Sequence, residues 1–184
     1  MKKGYTDIHS KLIEACKKGE QKAQFELYKL YAKSMYNVAY RILNNSTEAE
    51  DVIQESFLKA FQKLGSFSGG VSFGAWLKKI VVNASLDELR KKKLIFEDID
   101  NVKHRDFEQA DIDNRAQVYE VKKVRDTIMC LPDGYRVVLS LYLLEGYDHD
   151  EISEILGITA STSRSQLARA KKKLIQELKK AEQN

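Results

Sequence analysis

Proline is nearly absent from this chain: Pro132 stands alone in 184 residues. Glycine is sparse as well, at nine. These scarcities argue against turn-dense sandwiches and barrels and in favour of long, uninterrupted helices. The two cysteines, Cys16 and Cys130, lie far apart and outside any CxxC spacing. They exclude a disulfide scaffold and a cysteine-based zinc cluster, and they fit a reducing cytoplasm. No stretch approaches the roughly 20 apolar residues that a membrane-spanning helix needs. The opening, MKKGYTDIHSKLIEACKKGEQ, has no apolar signal core. The expectation is a soluble cytoplasmic protein with no membrane insertion.

Catalytic constellations are missing too. The stretch GSFSGG at 65–70 fits the opening of a phosphate-binding loop, but Val71-Ser72 follows where Lys-Ser/Thr is required. His9, His104 and His149 are scattered and show no metal-ligand spacing. Neither cysteine has a base beside it in sequence, and small buried thiols are the ordinary case. The composition therefore leads to no enzyme, no cofactor and no metal.

What is present is charge, and it is segregated. Hydrophobic residues make up 43% and charged residues 32%, a globular balance with a formal net charge of +4. Residues 76–93 carry six basic side chains against two acidic ones. Seven acids face two basic residues in 97–113, and seven basic residues face two acids in 161–184. The acidic stretch FEDIDNVKHRDFEQADIDNRAQ has weak helical periodicity and few large apolar residues, so it reads as a linker. The chain divides on this reading into a domain at 1–93, an acidic linker at 94–117 and a domain at 118–184. Both domains are helical, and the fold class is all-α.

In the first domain Leu27, Leu30, Tyr31, Ser34, Val38, Ala39 and Ile42 recur at three- and four-residue spacing, as one helix face does. Asn44-Asn45 stops that helix, and Thr47 with Glu50 suggests a capping box for the next. The following helix would bury Ile53, Phe57, Ala60 and Leu64. A third, from about Phe73 to Lys93, would turn Leu77, Ile80, Val81 and Ala84 inward. In the second domain Val121, Val124, Ile128 and Leu131 mark a helix closed by Pro132-Asp133-Gly134. YRVVLSLYLLEG is apolar nearly all round and reads as a buried helix. In HDEISEILGITASTSRSQLARAKKKLIQEL, Ile152, Ile155 and Leu156 precede a break at Gly157, and Leu167, Ala170 and Leu174 resume the period. Two helices joined by a short glycine turn form a helix-turn-helix.

Three surfaces carry chemistry. The second helix of the helix-turn-helix offers Ser161, Thr162, Arg164, Ser165, Gln166 and Arg169 near its start, side chains suited to base edges in a major groove. Lys171, Lys172 and Lys173 follow and suit phosphate attachment. In the first domain Lys79, Asn83, Asp87 and Arg90, with Lys91 in the basic run that ends the helix, make a polar stripe that could hold nucleic acid. Phe67, Phe73 and Trp76 are nearby candidates for stacking on unpaired bases. Phe73 and Trp76 suit the core better, and Phe67 falls in a loop expected to be exposed. The helix before them presents Asp51, Gln54, Glu55 and Leu58 opposite its buried side. An acidic stripe repels DNA, so it faces either water or a protein partner.

Three segments in order resemble the extracytoplasmic-function (ECF) class of bacterial RNA polymerase sigma factors: TEAEDVIQESFLKAF, FGAWLKKIVVNASLDELRKKK and LPDGYRVVLSLYLLEGYDHDEISEILGITASTSRSQLARAKKKL. The resemblance covers about 19–93 and 118–180. It implies an alternative sigma factor whose partners are core RNA polymerase and promoter DNA. Asp51, Gln54, Glu55 and Leu58 would then dock on the polymerase clamp. Phe67, Lys79, Asn83, Asp87, Arg90 and Lys91 would open and read the −10 element, and the helix-turn-helix would read the −35 element as duplex. The resemblance also admits an anti-sigma factor, since two domains on a linker can be clamped shut. Val82, Ser163 and Gln166 depart from basic, apolar and basic residues frequent in the family. Ser161 replaces a common glycine and suits a capping role. The residues alone also allow a dimeric helix-turn-helix repressor or activator. That reading accounts for 161–173 and leaves the acidic stripe and the 76–93 face unexplained.

Overall fold

The computed structural model describes residues 8–96 and 116–181, with side chains over 8–92 and 121–180. All regular elements among them are helical, and no strand occurs. The chain divides into two compact units, Met1–Lys91 and Lys92–Asn184. Most of the acidic stretch read as a linker, residues 97–115, lies outside the described residues. No described helix is long and apolar enough to cross a membrane.

The first unit contains α1 (Ser10–Lys17), α2 (Gln21–Leu43), α3 (Ser46–Lys63), a 3-10 turn at Leu64–Ser66 and α4 (Phe73–Phe96). Leu27, Val38, Ala39 and Ile42 of α2 are buried, as are Ile53, Phe57 and Ala60 of α3 and Phe73, Leu77 and Val81 of α4. Fully burying a side chain of leucine or phenylalanine size contributes about 1.5–3 kcal/mol. The periodic face of α2 differs from expectation at two positions. Leu30 and Ser34 point to solvent, and Met35 takes an inward place instead. Ile80 and Ala84 of α4 are half-buried.

The α2–α3 corner uses a different cap from the one the sequence suggests. Asn44 ends α2 in the left-handed region, at φ 53°, and leaves Asn45 extended. The Asn45 side chain accepts from the Glu48 backbone N–H at 3.2 Å, so Asn45 is the cap and Thr47 is already helical. The same pattern of residue types sits two positions earlier than the Thr47–Glu50 pair.

The loop after α3 folds inward. Phe67 is 7% exposed, with its ring 5.9 Å from Phe73 and 5.3 Å from Trp76. Its N–H donates to Leu64 O at 3.1 Å, which turns the chain so that the ring enters the core. The expected exposed position of Phe67 is thus corrected. Of the three aromatics, Trp76 is the half-buried one.

The second unit contains α5 (Ala116–Met129), α6 (Asp133–Leu139), a wide π-helical turn at Ser140–Leu144, α7 (His149–Leu156) and α8 (Ala160–Ala181). Its core gathers Ile128, Leu131, Val138, Leu139, Leu167, Ala170 and Leu174. Val121, expected inward, is exposed. The segment YRVVLSLYLLEG is buried only in its first part. Glu145 N–H reaches back five residues to Ser140 O at 3.0 Å, and Leu143 and Leu144 emerge on the surface. Arg136 is buried despite its charge; its guanidinium pairs with Asp133 Oδ1 at 2.7 Å and donates to Leu131 O at 3.2 Å. Cys16 is buried, whereas Cys130 is exposed, against the expectation of two buried thiols. Burial and the nearby Glu20 carboxylate raise the Cys16 thiol above its ordinary value.

Gly74 has a specific reason to be glycine. A Cβ there would lie 2.9 Å from Tyr31 Cε1, in a ring already packed edge-on against Phe73. In an open helix, Gly→Ala gains about 1 kcal/mol from propensity. Overpacking costs about 1–3 kcal/mol. Gly74→Ala is therefore expected to lower the midpoint of thermal unfolding, and an increase would show that Tyr31 moves aside freely. Gly65→Ala, where a Cβ meets nothing within 4 Å, serves as the control and should leave the midpoint within about a degree or two of wild type.

Candidate functional site

The helix-turn-helix is built from local signals. Asp148 caps α7, accepting from Asp150 N–H at 2.9 Å and Glu151 N–H at 2.8 Å, while Glu151 Oε2 accepts from Asp148 N–H at 2.9 Å. This reciprocal box is written in the sequence as D-x-x-E, Asp148 to Glu151. Gly157 closes α7 at φ 69°, a conformation that favours glycine, and both Gly157 N–H and Ile158 N–H return to Ser153 O. Thr159 then caps α8, its hydroxyl accepting from Thr162 N–H at 3.0 Å. Ser161, assigned a capping role from the sequence, is instead an exposed residue inside the helix. The cap falls on Thr159 because Ile158 and Thr159 complete the turn before the first helical residue, Ala160.

Capping sets where α8 begins. Ser163, Leu167, Ala170 and Leu174 face inward. At 100° per residue the opposite side carries Ser161, Ser165, Arg169 and Lys172, all exposed, with the exposed Arg164 about a quarter-turn round on its flank. Thr162, Gln166 and Lys173 lie on one shoulder and are half-buried; Lys171 lies on the other. Several of these are already engaged. Thr162 Oγ1 meets Thr159 Oγ1 at 2.8 Å, and Ser165 Oγ donates to Thr162 O at 3.0 Å. Lys173 Nζ pairs with Glu177 Oε1 at 2.9 Å, and Lys180 adds a second pair at 3.2 Å. The hydrogen bonds from Lys173 and Lys180 hold the Glu177 carboxyl below the ordinary carboxylate range.

On α4, Lys79, Asn83, Asp87, Arg90 and Lys91 are all exposed. Lys79, Asn83, Asp87 and Arg90 share one side, with Trp76 one turn before Lys79; Lys91 lies at its margin. Arg90 Nη1 pairs with Asp87 Oδ1 at 3.1 Å, and Lys91 Nζ with Glu88 Oε2 at 3.2 Å. Val82, where the family resemblance suggested a basic residue, is fully buried. Phe67 belongs to the core and not to this stripe, although its carbonyl accepts from Lys17 Nζ at 3.5 Å. On α3, Asp51, Gln54, Glu55 and Leu58 are all exposed, and Leu58 is 63% exposed on an otherwise polar side. Glu55 pairs with Lys59 at 3.5 Å.

Residues 27–95 match the Sigma-70 region 2 family and residues 122–174 match Sigma-70 region 4. The ECF RNA polymerase sigma-E factor of Salmonella typhimurium is 31% identical over 170 residues, covering 87% of this chain and 88% of that one. This chain belongs to the ECF sigma factors. The ECF RNA polymerase sigma factor SigW of Bacillus subtilis is 29% identical over 186 residues, covering 92% of this chain and 96% of that one. Among solved structures, the Bartonella quintana sigma factor RpoE, crystallised with the anti-sigma factor NepR, is 25% identical with a TM-score of 0.58. The match covers 84% of this chain and 95% of that one. The protein is an alternative sigma factor that directs promoter-specific initiation, with core RNA polymerase and promoter DNA as its partners.

The Lys173–Glu177 pair has a measurable consequence. Glu177→Gln weakens the hold on Lys173 and makes its charge available to a phosphate. Holoenzyme carrying the variant should show a steeper fall of promoter affinity with salt, by up to about 0.9 in log–log slope for one added phosphate contact. An unchanged slope would place Lys173 away from the DNA. The lowered carboxyl value also sets a sign. The pairs contribute above the ordinary carboxylate range and lose their contribution as pH falls through the lowered value, so wild type and variant converge in acid.

Proposed function

We propose that the two units divide promoter recognition between them. Residues 118–184 read the −35 element as duplex, with Arg164 and Gln166 addressing base edges, Ser161, Thr162, Ser165 and Arg169 beside them, and Lys171, Lys172 and Lys173 on phosphates. Residues 1–93 engage the −10 element through Lys79, Asn83, Asp87, Arg90 and Lys91, and core polymerase through Asp51, Gln54, Glu55 and Leu58. The protein performs no covalent chemistry of its own; captured bases offset the cost of unpairing, a few kcal/mol each. It acts in the cytoplasm, with polymerase and promoter. An anti-sigma factor, of the kind bound to the Bartonella protein, is a further partner on this reading.

The observation that carries the proposal is the outward surface of α8, where Ser161, Ser165, Arg169 and Lys172 stand opposite the buried residues and Arg164 is exposed beside them. Side chains of this type on the first turns of the second helix match what a major groove requires. Support for the polymerase face comes from Leu58, an exposed apolar side chain ringed by acids and amides. Such a residue gains from being covered by protein, and the surrounding carboxylates repel DNA.

Transcription from genomic fragments by core polymerase, with and without the protein at stated salt, tests the whole reading. New start sites sharing two upstream sequence blocks are expected; specific duplex binding without new starts would favour a regulator that acts apart from polymerase. Arg164→Ala should cost about 1–3 kcal/mol of discrimination at one position of the upstream block. Equal losses on scrambled upstream DNA would make Arg164 a phosphate contact. Leu58→Arg should reduce co-elution with core polymerase tenfold or more while the circular dichroism spectrum stays unchanged. A folded variant that still co-elutes would remove α3 from the interface.

A further inference from the structure

His149, the first residue of α7, and Ser163, in the first turns of α8, lie 14 positions apart and meet at 2.9 Å, Nδ1 to Oγ. Ser163 is fully buried, whereas its neighbour Arg164 is exposed. The imidazole is held from a second direction by Tyr142 of the wide turn, with ring centroids 4.8 Å apart and planes inclined by 26°. Lys171 Nζ stands 5.6 Å from the centre of the same Tyr142 ring. One aromatic pair thus grips α8 at residues 163 and 171, about 12 Å apart along the helix at 1.5 Å per residue. Arg164, Ser165, Gln166 and Arg169 all lie between the two grips.

Apolar burial alone leaves a helix some freedom to slide and roll, because it is non-directional. A hydrogen bond weakens steeply once its angle is lost. Reading a base edge by paired hydrogen bonds is equally demanding of angle. The Ser163 hydroxyl can donate or accept, so the bond to His149 forms with either neutral tautomer of the ring. We infer that His149, acting through Ser163, is a positioning residue for α8. It fixes the rotation at which Arg164 and its neighbours meet the groove, and so sets discrimination between promoter sequences more than affinity for DNA in general. This inference rests on the proposal that α8 reads the −35 duplex.

The test uses the full chain in holoenzyme and a promoter found by start-site mapping, with its upstream block either native or scrambled. The readout is the ratio of transcripts from the two templates, taken alongside the thermal midpoint of each variant. Ser163→Ala and His149→Phe should each lower that ratio about three- to tenfold, which matches the net worth of one hydrogen bond. His149→Phe retains a ring to stack on Tyr142, and His149→Asn, which keeps a polar group near the Nδ1 position, should recover part of the loss. The double variant His149→Phe/Ser163→Ala should fall no further than either single one, since the two residues act through one bond. A ratio kept at the wild-type value by Ser163→Ala would overturn the inference. So would equal losses on both templates, which mark a purely structural role. Arg164→Ala is the control for the underlying reading: if it lowers the ratio while His149 and Ser163 variants do not, only the positioning role fails. If Arg164→Ala leaves the ratio unchanged, α8 is not the reader and both claims fall together.

Discussion

Burial of Leu167, Ala170 and Leu174 along one side of α8 decides which side of that helix is left facing outward, and the surface of the C-terminal unit follows from it. A helix that must hide one side presents the other without choice. Residues at Ser161, Arg164, Ser165, Arg169 and Lys172 are outward because the residues between them are inward. The same constraint governs α3, where burial of Ile53, Phe57 and Ala60 puts Asp51, Gln54, Glu55 and Leu58 in solvent. On α4 the burial of Leu77, Val81, Val82 and Leu86 leaves Lys79, Asn83 and Arg90 outside. On the proposed reading function is distributed over helix faces, and packing decides which faces are available.

Periodicity carried most of the fold because long helices with a single buried side write that side into the sequence. The all-α class, the break at Gly157 and the outward stripes were legible for this reason. Details that depend on tertiary contact were not. Phe67 reads as a loop residue, yet its ring joins Phe73 and Trp76, which only the return of the chain over the core brings near. Leu30 fits the three- and four-residue spacing of α2 and is nevertheless exposed, since no neighbouring helix among the described residues covers that part of the surface. Arg136 sits in an apolar run and is buried because Asp133 and the Leu131 carbonyl satisfy it. The contact between His149 and Ser163 has no local signature at all. Their separation of 14 positions is fixed by the turn and by the crossing of two helices, neither of which propensity encodes.

Charge segregation and hydrogen bonding act at different ranges here. The positive excess in 76–93 and 161–184 favours approach to an anionic polymer over roughly a Debye length, about 8–10 Å at physiological salt. Four of the thirteen basic side chains in these stretches are paired with carboxylates: Lys91 with Glu88, Arg90 with Asp87, Lys173 and Lys180 with Glu177. Exposed pairs of this kind contribute little to stability. Their larger effect is to lower the number of cations offered to phosphates, which limits sequence-blind attraction to DNA.

That restraint makes geometry the means of discrimination. A face with many free lysines would bind any duplex and gain little from a matching sequence, because phosphate contacts carry no base information. On the proposed reading, two arginines and a few short hydroxyl side chains of α8 supply the difference, and their value depends on angle as much as on identity. The devices that fix this angle are all local and rigid: the reciprocal cap of Asp148 and Glu151, the left-handed Gly157, and the Thr159 hydroxyl on Thr162 N–H. The hydrogen bond between His149 and Ser163 adds a cross-link between the two helices in the first turns of α8. A small helical unit of this size has a limited core with which to resist deformation. Directional contacts at the turn supply the stiffness that additional apolar layers provide in a larger fold.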